Sequence, residues 1–196
     1  MSEARRYELK ERARRQEATR RRIVEATVAL HREVGPARTT VVEIARRAGV
    51  SRLTVYKHFP DNRALFGACS AAFIADSPPP DPSAWAQIAD PRDRLRRALG
   101  EQYAWYRANA AMLGHVNRDA ELLPELGELL AEEAGAERAA RDTLLAGRRL
   151  RGARRRRVDA AIGLALAFGT WQHLTEREGL DDPEAVDLLA RAVEAA

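Results

Sequence analysis

Apolar residues return at helical spacing along most of the chain, and the interruptions are as informative as the runs. Ile23, Ala26, Leu30 and Val34 share one face of a helix from about Ala18 to Val34, which Gly35-Pro36 ends. Before it, residues 1–17 interleave Arg5, Arg6, Lys10, Arg12, Arg14 and Arg15 with Glu3, Glu8, Glu11 and Glu17. They offer no apolar stripe to bury and read as a basic flexible arm. Leu95, Leu99, Gln102 and Tyr106 follow an Asp90-Pro91 start and predict a helix to about Asn109. Pro124 opens another towards Leu145, weakened by Gly127 and Gly135 at about 1 kcal/mol each relative to alanine. Arg154–Arg177 is hydrophobic round most of its circumference, and Asp182-Pro183 caps a last helix through Val186, Leu189 and Val193.

Between the first and second halves of this pattern, Ser77-Pro78-Pro79-Pro80-Asp81-Pro82 forbids helix and reads as an extended connector. It separates a segment 18–76 from a segment 77–196. Composition agrees with an all-α chain: 45% hydrophobic and 32% charged residues, with only 6% aromatics. Charge is unevenly spread, since residues 1–63 carry 16 Lys+Arg against 8 Asp+Glu while the remainder is slightly acidic. That asymmetry fits either a polyanion-binding N-terminal part or a solvated basic face. Cys69 is the only cysteine, which excludes an intrachain disulfide and a four-thiolate zinc site. With no apolar leader and no membrane-length apolar run, the expected location is the cytoplasm.

The segment TTVVEIARRAGVSRLTVYKHFPDNRALF carries the chemistry. Thr40 with Glu43 three residues on is a capping box, so a helix starts there; Ile44, Ala45 and Ala48 form its buried face, and Gly49 ends it in the left-handed conformation. Val50 plugs a turn, and Ser51 caps a second short helix whose Val55 and Phe59 point back at the first. Two helices meeting across a four-residue turn form a helix-turn-helix, which lays its second helix in the major groove of DNA. The outward face of that helix holds Arg52, Leu53, Thr54, Tyr56, Lys57 and His58, with no acid between Ser51 and Pro60. Taken singly, Tyr56 also fits a half-buried core aromatic, His58 a surface histidine, and Thr40 a cap without a DNA contact.

On these residues the sequence resembles the TetR family of bacterial regulators over roughly residues 19–69: the Thr-Thr pair, Ile-Ala…Ala-Gly-Val-Ser, Tyr56-x-His58-Phe59, and the Ala-Leu-Phe opening the next helix. The resemblance implies an all-α homodimer in which three N-terminal helices bind DNA and a larger helical domain dimerises and holds a small-molecule pocket. It puts Thr40, Tyr56 and His58 on phosphates and Arg52, Leu53 and Tyr56 near base edges, with Lys57 able to reach either. The family commonly has a lysine where Asn62 stands; an asparagine and free helix-start amides still suit a phosphate, and Arg63 offers the charge. Repression of a palindromic operator, relieved by an effector of unknown class, is the commoner outcome for such proteins.

The C-terminal part supports a subunit interface. Helices at about 154–177 and 183–195 would make a four-helix contact between two copies, with Ala161, Gly163, Ala165 and Gly169 permitting close approach. Tyr103, Tyr106, Met112, His115, Phe168 and Trp171, together with Trp105 and His173, are candidate pocket residues, although core or surface roles fit each of them as well. Seven arginines between Arg148 and Arg157 fit a solvated helix junction, an acidic-ligand site or an accessory anion contact. No enzyme motif, cofactor loop or metal-ligand pair is visible, so neither an enzyme nor a cofactor is expected. The competing reading is a DNA-binding regulator without a small-molecule effector, controlled by a partner or by oxidation of Cys69.

Overall fold

Gly35 and Pro36 stop the first helix where the pattern requires, but that helix begins far earlier than Ala18. In the computed structural model, which describes residues 3–196, α1 spans Glu3–Val34, so the stretch expected as an arm is helical. Met1 and Ser2, and the side chains of Glu3, Ala4, Arg5, Glu133, Ala134 and Ala136, lie outside the described residues, and with them the Arg5 side chain of the expected arm. Local ion pairs such as Arg14–Glu11 at 2.9 Å support a helix that has no face to bury. A 3-10 turn, Pro36–Arg38, leads to α2 (Val41–Ala48), α3 (Arg52–His58) and α4 (Asn62–Asp76). After the prolines come α5 (Pro82–Trp85), α6 (Pro91–Ala120), α7 (Pro124–Leu145), α8 (Gly152–Leu166), α9 (Phe168–Gln172), a π-helical turn His173–Arg177, and α10 (Asp182–Ala195). The described residues contain no strand.

Two compact units result. The first comprises the described residues up to Pro78 together with Gly114–Ala131. Its core joins Ile23, Val24 and Leu30 of α1 to Ile44 and Ala48 of α2, Val55 of α3, Phe59, and Leu65 and Cys69 of α4. Burial of these apolar groups is the driving force, and a bidentate Arg47–Glu33 pair at 2.6 and 2.7 Å ties α2 to α1 at the surface. The end of α6 and the start of α7 group with this unit, whereas the proline connector alone suggested a boundary near residue 77. The helix expected to stop near Asn109 continues to Ala120, where its last turn meets α1.

The second unit, Pro79–Leu113 and Glu132–Ala196, packs Trp85, Leu95, Leu99, Tyr103, Leu144, Val158, Ile162, Trp171, Leu189 and Val193 into one core. The apolar segment expected as one helix over Arg154–Arg177 is broken at Ala167, which is extended at φ −71° and ψ 131°. The break leaves carbonyls without intrahelical partners, and two tyrosines of α6 take them: Tyr103 Oη donates to the Ala165 carbonyl at 2.8 Å and Tyr106 Oη to Leu166 at 2.5 Å. Arg94, itself buried, donates to the carbonyls of Ile88, Ala89, Thr143 and Ala146 and so closes the C-terminal end of α7.

Candidate nucleic-acid interface

Each helix around the helix-turn-helix begins on a side chain three residues upstream of the amide it satisfies. Thr40 Oγ1 accepts from the Glu43 amide at 3.2 Å, and Glu43 Oε2 accepts from the Thr40 amide at 3.2 Å and its hydroxyl at 2.8 Å. These bonds hold the Glu43 carboxyl below its usual range, the Thr40 hydroxyl contributing most. The Thr40 hydroxyl hydrogen is therefore committed to Glu43, and a phosphate there must compete with the cap. Gly49, at φ 66° and ψ 41°, turns the chain towards α3. Ser51 Oγ accepts from the Thr54 amide at 3.1 Å and lies 2.8 Å from Thr54 Oγ1. Asp61 accepts from the Ala64 amide at 2.7 Å and opens α4.

This scaffold presents α3 by one face. Val55 and Phe59 are buried, while Leu53 and Tyr56 are 63% and 55% exposed, too open for a core role. Ser51, Arg52 and Lys57 are exposed beside them, and Thr54 and His58 are half-buried at the edge. The Arg20 guanidinium stacks 4.4 Å from the Phe59 ring centre and donates to the His58 carbonyl at 3.4 Å, pinning the end of α3 to α1. Asn62 and Arg63 are exposed in the first turn of α4, with Arg63 3.4 Å from Glu128 of α7. On the other flank of α3, Thr54 and His58 face Arg12, Arg15, Gln16 and Thr19 of α1 across an open cleft of about 640 Å³. The α1 wall of that cleft was not evident from sequence, because it lies in the stretch without an apolar stripe.

A buried polar joint sets the approach to α2. Asp119, at the end of α6, accepts from the Ala37 amide at 2.9 Å and from Arg118 Nε at 2.7 Å, while His115 Nδ1 lies 3.1 Å from the His31 carbonyl. Burial pushes the Asp119 carboxyl up, but these donors outweigh it and keep it below the usual range. Burial pushes His31 down to about 4 against the opposing pull of Asp119, so His31 is neutral at pH 7. Gly35, at φ 93°, passes so close that a Cβ would lie 2.5 Å from both Arg118 Nη2 and Asp119 Oδ2. Only a contact 82 residues long reveals this role for Asp119, and no local motif announces it.

The candidate pocket residues divide. Tyr103, Tyr106, Phe168 and Trp171 pack together in the second unit, with Tyr106–Phe168 and Phe168–Trp171 ring centres 5.3 and 5.4 Å apart, and Met112 is also buried. Trp171 Nε1 donates to Asp182 at 2.9 Å, and Arg107 holds the same carboxylate at 2.6 and 2.7 Å. His115 belongs to the first unit, and the exposed His173 pairs with Glu178 at 3.2 Å. Cys69 is buried, and desolvation pushes its thiol up to about 12, which leaves an oxidation sensor without a thiolate. Among the described residues no three His, Cys, Asp or Glu are placed to hold a metal, and no helix is long and apolar enough to cross a membrane.

Comparison with known proteins agrees with this arrangement. Residues 23–69 match the family model described as bacterial regulatory proteins, tetR family. A Mycobacterium tuberculosis protein described as an uncharacterized HTH-type transcriptional regulator is 46% identical over 55 residues, and a Mycobacterium bovis counterpart 44% identical over 54. The matched stretch spans 28% of this chain and 29% of the length of each relative. Among solved structures, a tetR-family transcriptional regulator from Streptomyces coelicolor superposes with a TM-score of 0.62 at 20% identity, covering 90% of this chain and 81% of that one. NalD from Pseudomonas aeruginosa, the secondary repressor of the MexAB-OprM multidrug efflux pump, superposes at 0.61 with 21% identity, covering 92% and 96%. At such identities the structures speak for the fold alone. Residues 23–69 therefore carry a DNA-binding domain of the tetR-family type, and the helices around it share the fold of solved TetR-family regulators.

Proposed function

We propose that this protein is a DNA-binding transcription regulator that grips an inverted-repeat operator as a homodimer and represses the adjacent genes until a small molecule releases it. The acid-free, exposed face of α3 on a rigidly capped scaffold carries the reading: Arg52, Leu53, Tyr56 and Lys57 project where base edges lie when such a helix enters the major groove. Ser51, Thr54, His58 and Asn62 flank that face as phosphate donors. Thr40 caps α2 first, and Arg63 shares its charge with Glu128.

The two-fold partner that an inverted repeat requires is supported by α8 and α10. Leu164 and Leu188 are 60% and 45% exposed, with Ala160 and Ala192 exposed along the same helices and Ala167 exposed at the break after α8. The apolar stripe differs from the one expected, because Ala165 is buried in its own core and Gly163 makes room for Arg141. Repression is favoured by the description of NalD as a repressor. An effector acts by preferring the dimer geometry that misfits the operator, and the aromatic cluster around Tyr106 and Trp171 is where it would seat after repacking.

Selection of bound genomic fragments with the purified protein tests the reading. An inverted repeat should emerge, and Arg52→Ala or Lys57→Ala should erase the penalty of about 1–3 kcal/mol for a mismatch at one position if that residue reads a base. A monomer that recovers no common sequence at low salt would end it.

A further inference from the structure

Resting on that DNA-binding reading, we infer that the N-terminal third of α1 is a second DNA-contacting wall, and that one sugar–phosphate strand of the operator lies in the cleft between it and α3. A helix seated in the major groove has a phosphate strand on either side. The strand on the Thr54–His58 side meets α1, which forms the opposite wall of the cleft with Arg12, Arg15 and Gln16. Arg12 and Arg15 are exposed and have no acid partner among the described residues, so both guanidinium groups are available to phosphates. Arg20 and Phe59 fix the base of the cleft by tying α1 to the end of α3. From Thr19 to Tyr7 the helix rises about 18 Å, long enough to pass more than one phosphate of the strand.

The acids of this wall are arranged to permit it. Glu11 also lines the cleft, but its carboxylate is paired with Arg14 at 2.9 Å, which offsets its charge. Glu8 remains on the cleft and opposes the phosphates. It supplies a substitution that should strengthen binding, an effect that damage to the fold does not produce.

The test uses the full chain and the selected inverted repeat in two duplexes, one with about ten flanking base pairs per side and one trimmed to the repeat. Arg12→Ala/Arg15→Ala should weaken binding to the long duplex at least ~10-fold near 0.1 M salt and lower the salt slope by about one per arginine per subunit. Trimming the flanks should weaken the unsubstituted protein and leave the double variant unaffected. Glu8→Gln should bind the long duplex several-fold more tightly. Unchanged slopes, equal sensitivity to trimming and no gain from Glu8→Gln would overturn the inference. The double variant should keep its full preference for the repeat over random duplex, whereas Lys57→Ala should narrow that preference. If the unsubstituted protein has no preferred duplex, the operator reading fails, while the slope on random duplex still reports on the cleft.

Discussion

The two units differ in how far the side chains that close their helix ends have to reach. In the N-terminal unit the starts of α2, α3 and α4 are closed locally: Thr40 with Glu43, Ser51 with Thr54 and Asp61 with Ala64 each act across three residues. In the C-terminal unit Asp81, Asp90 and Asp181 likewise cap the starts of α5, α6 and α10, but the C-terminal ends of α7 and α8 are closed from a distance. Arg94 reaches the end of α7 across 49 and 52 residues, and Tyr103 and Tyr106 reach the end of α8 across 62 and 60. A local cap fixes where a helix starts without help from a distant segment, which suits a surface that must present fixed geometry to a ligand. Ends held by remote side chains last only while the surrounding packing lasts, so the second unit is the one whose helix boundaries can respond to a change in its core.

The largest effect should come from the longest reach. Arg94→Met strands buried carbonyls of α5–α6 and α7 and should lower unfolding free energy by about 3 kcal/mol in urea titration. A loss under about 1 kcal/mol would mean that water closes those ends just as well. His31 comes next and tests the long-range joint around Asp119 in the N-terminal unit. Its folded pKa, about 4, lies below the unfolded 6.5, so neutral His31 contributes stability above pH 6.5 that is lost as pH falls through 4. The chain should be about 2 kcal/mol less stable at pH 5 than at pH 8 from this group. The His31→Gln variant should show a flatter profile in the same window, and an identical profile would remove His31 as the cause.

Smaller effects sharpen the contrast. Tyr103→Phe and Tyr106→Phe each remove a buried hydroxyl from a freed carbonyl, and each should cost about 1–2 kcal/mol in denaturant melts. Hydrogen exchange should rise at the amides around Ala167 and stay unchanged at α3. Thr40→Ala should cost about 1 kcal/mol, with exchange rising at the start of α2. If it weakens DNA binding more than it weakens folding, the hydroxyl leaves Glu43 for a phosphate in the complex.

The same contrast explains what could be seen in the sequence. The capping box, the Gly49 turn, the Ser51 cap and the outward face of α3 are set by residues three or four apart, and all are found where their spacing puts them. The break at Ala167 has no local signature: the residues that make it tolerable are two tyrosines on another helix. Asp119 and Arg94 were equally silent, since a carboxylate or guanidinium becomes a cap only through a partner dozens of residues away. The extension of α1 was missed for a different reason. Helical periodicity reports a buried face, and a helix flanked on one side by an open cleft has none to report.

Seven residues make up α3, fewer than two turns. A segment that short has no helical population of its own in water, so its shape is borrowed from Ile44, Ala48 and the rest of the core beneath it. Heating curves followed by operator binding and by circular dichroism should therefore coincide. Substitutions that loosen that core would silence the protein without touching a nucleotide.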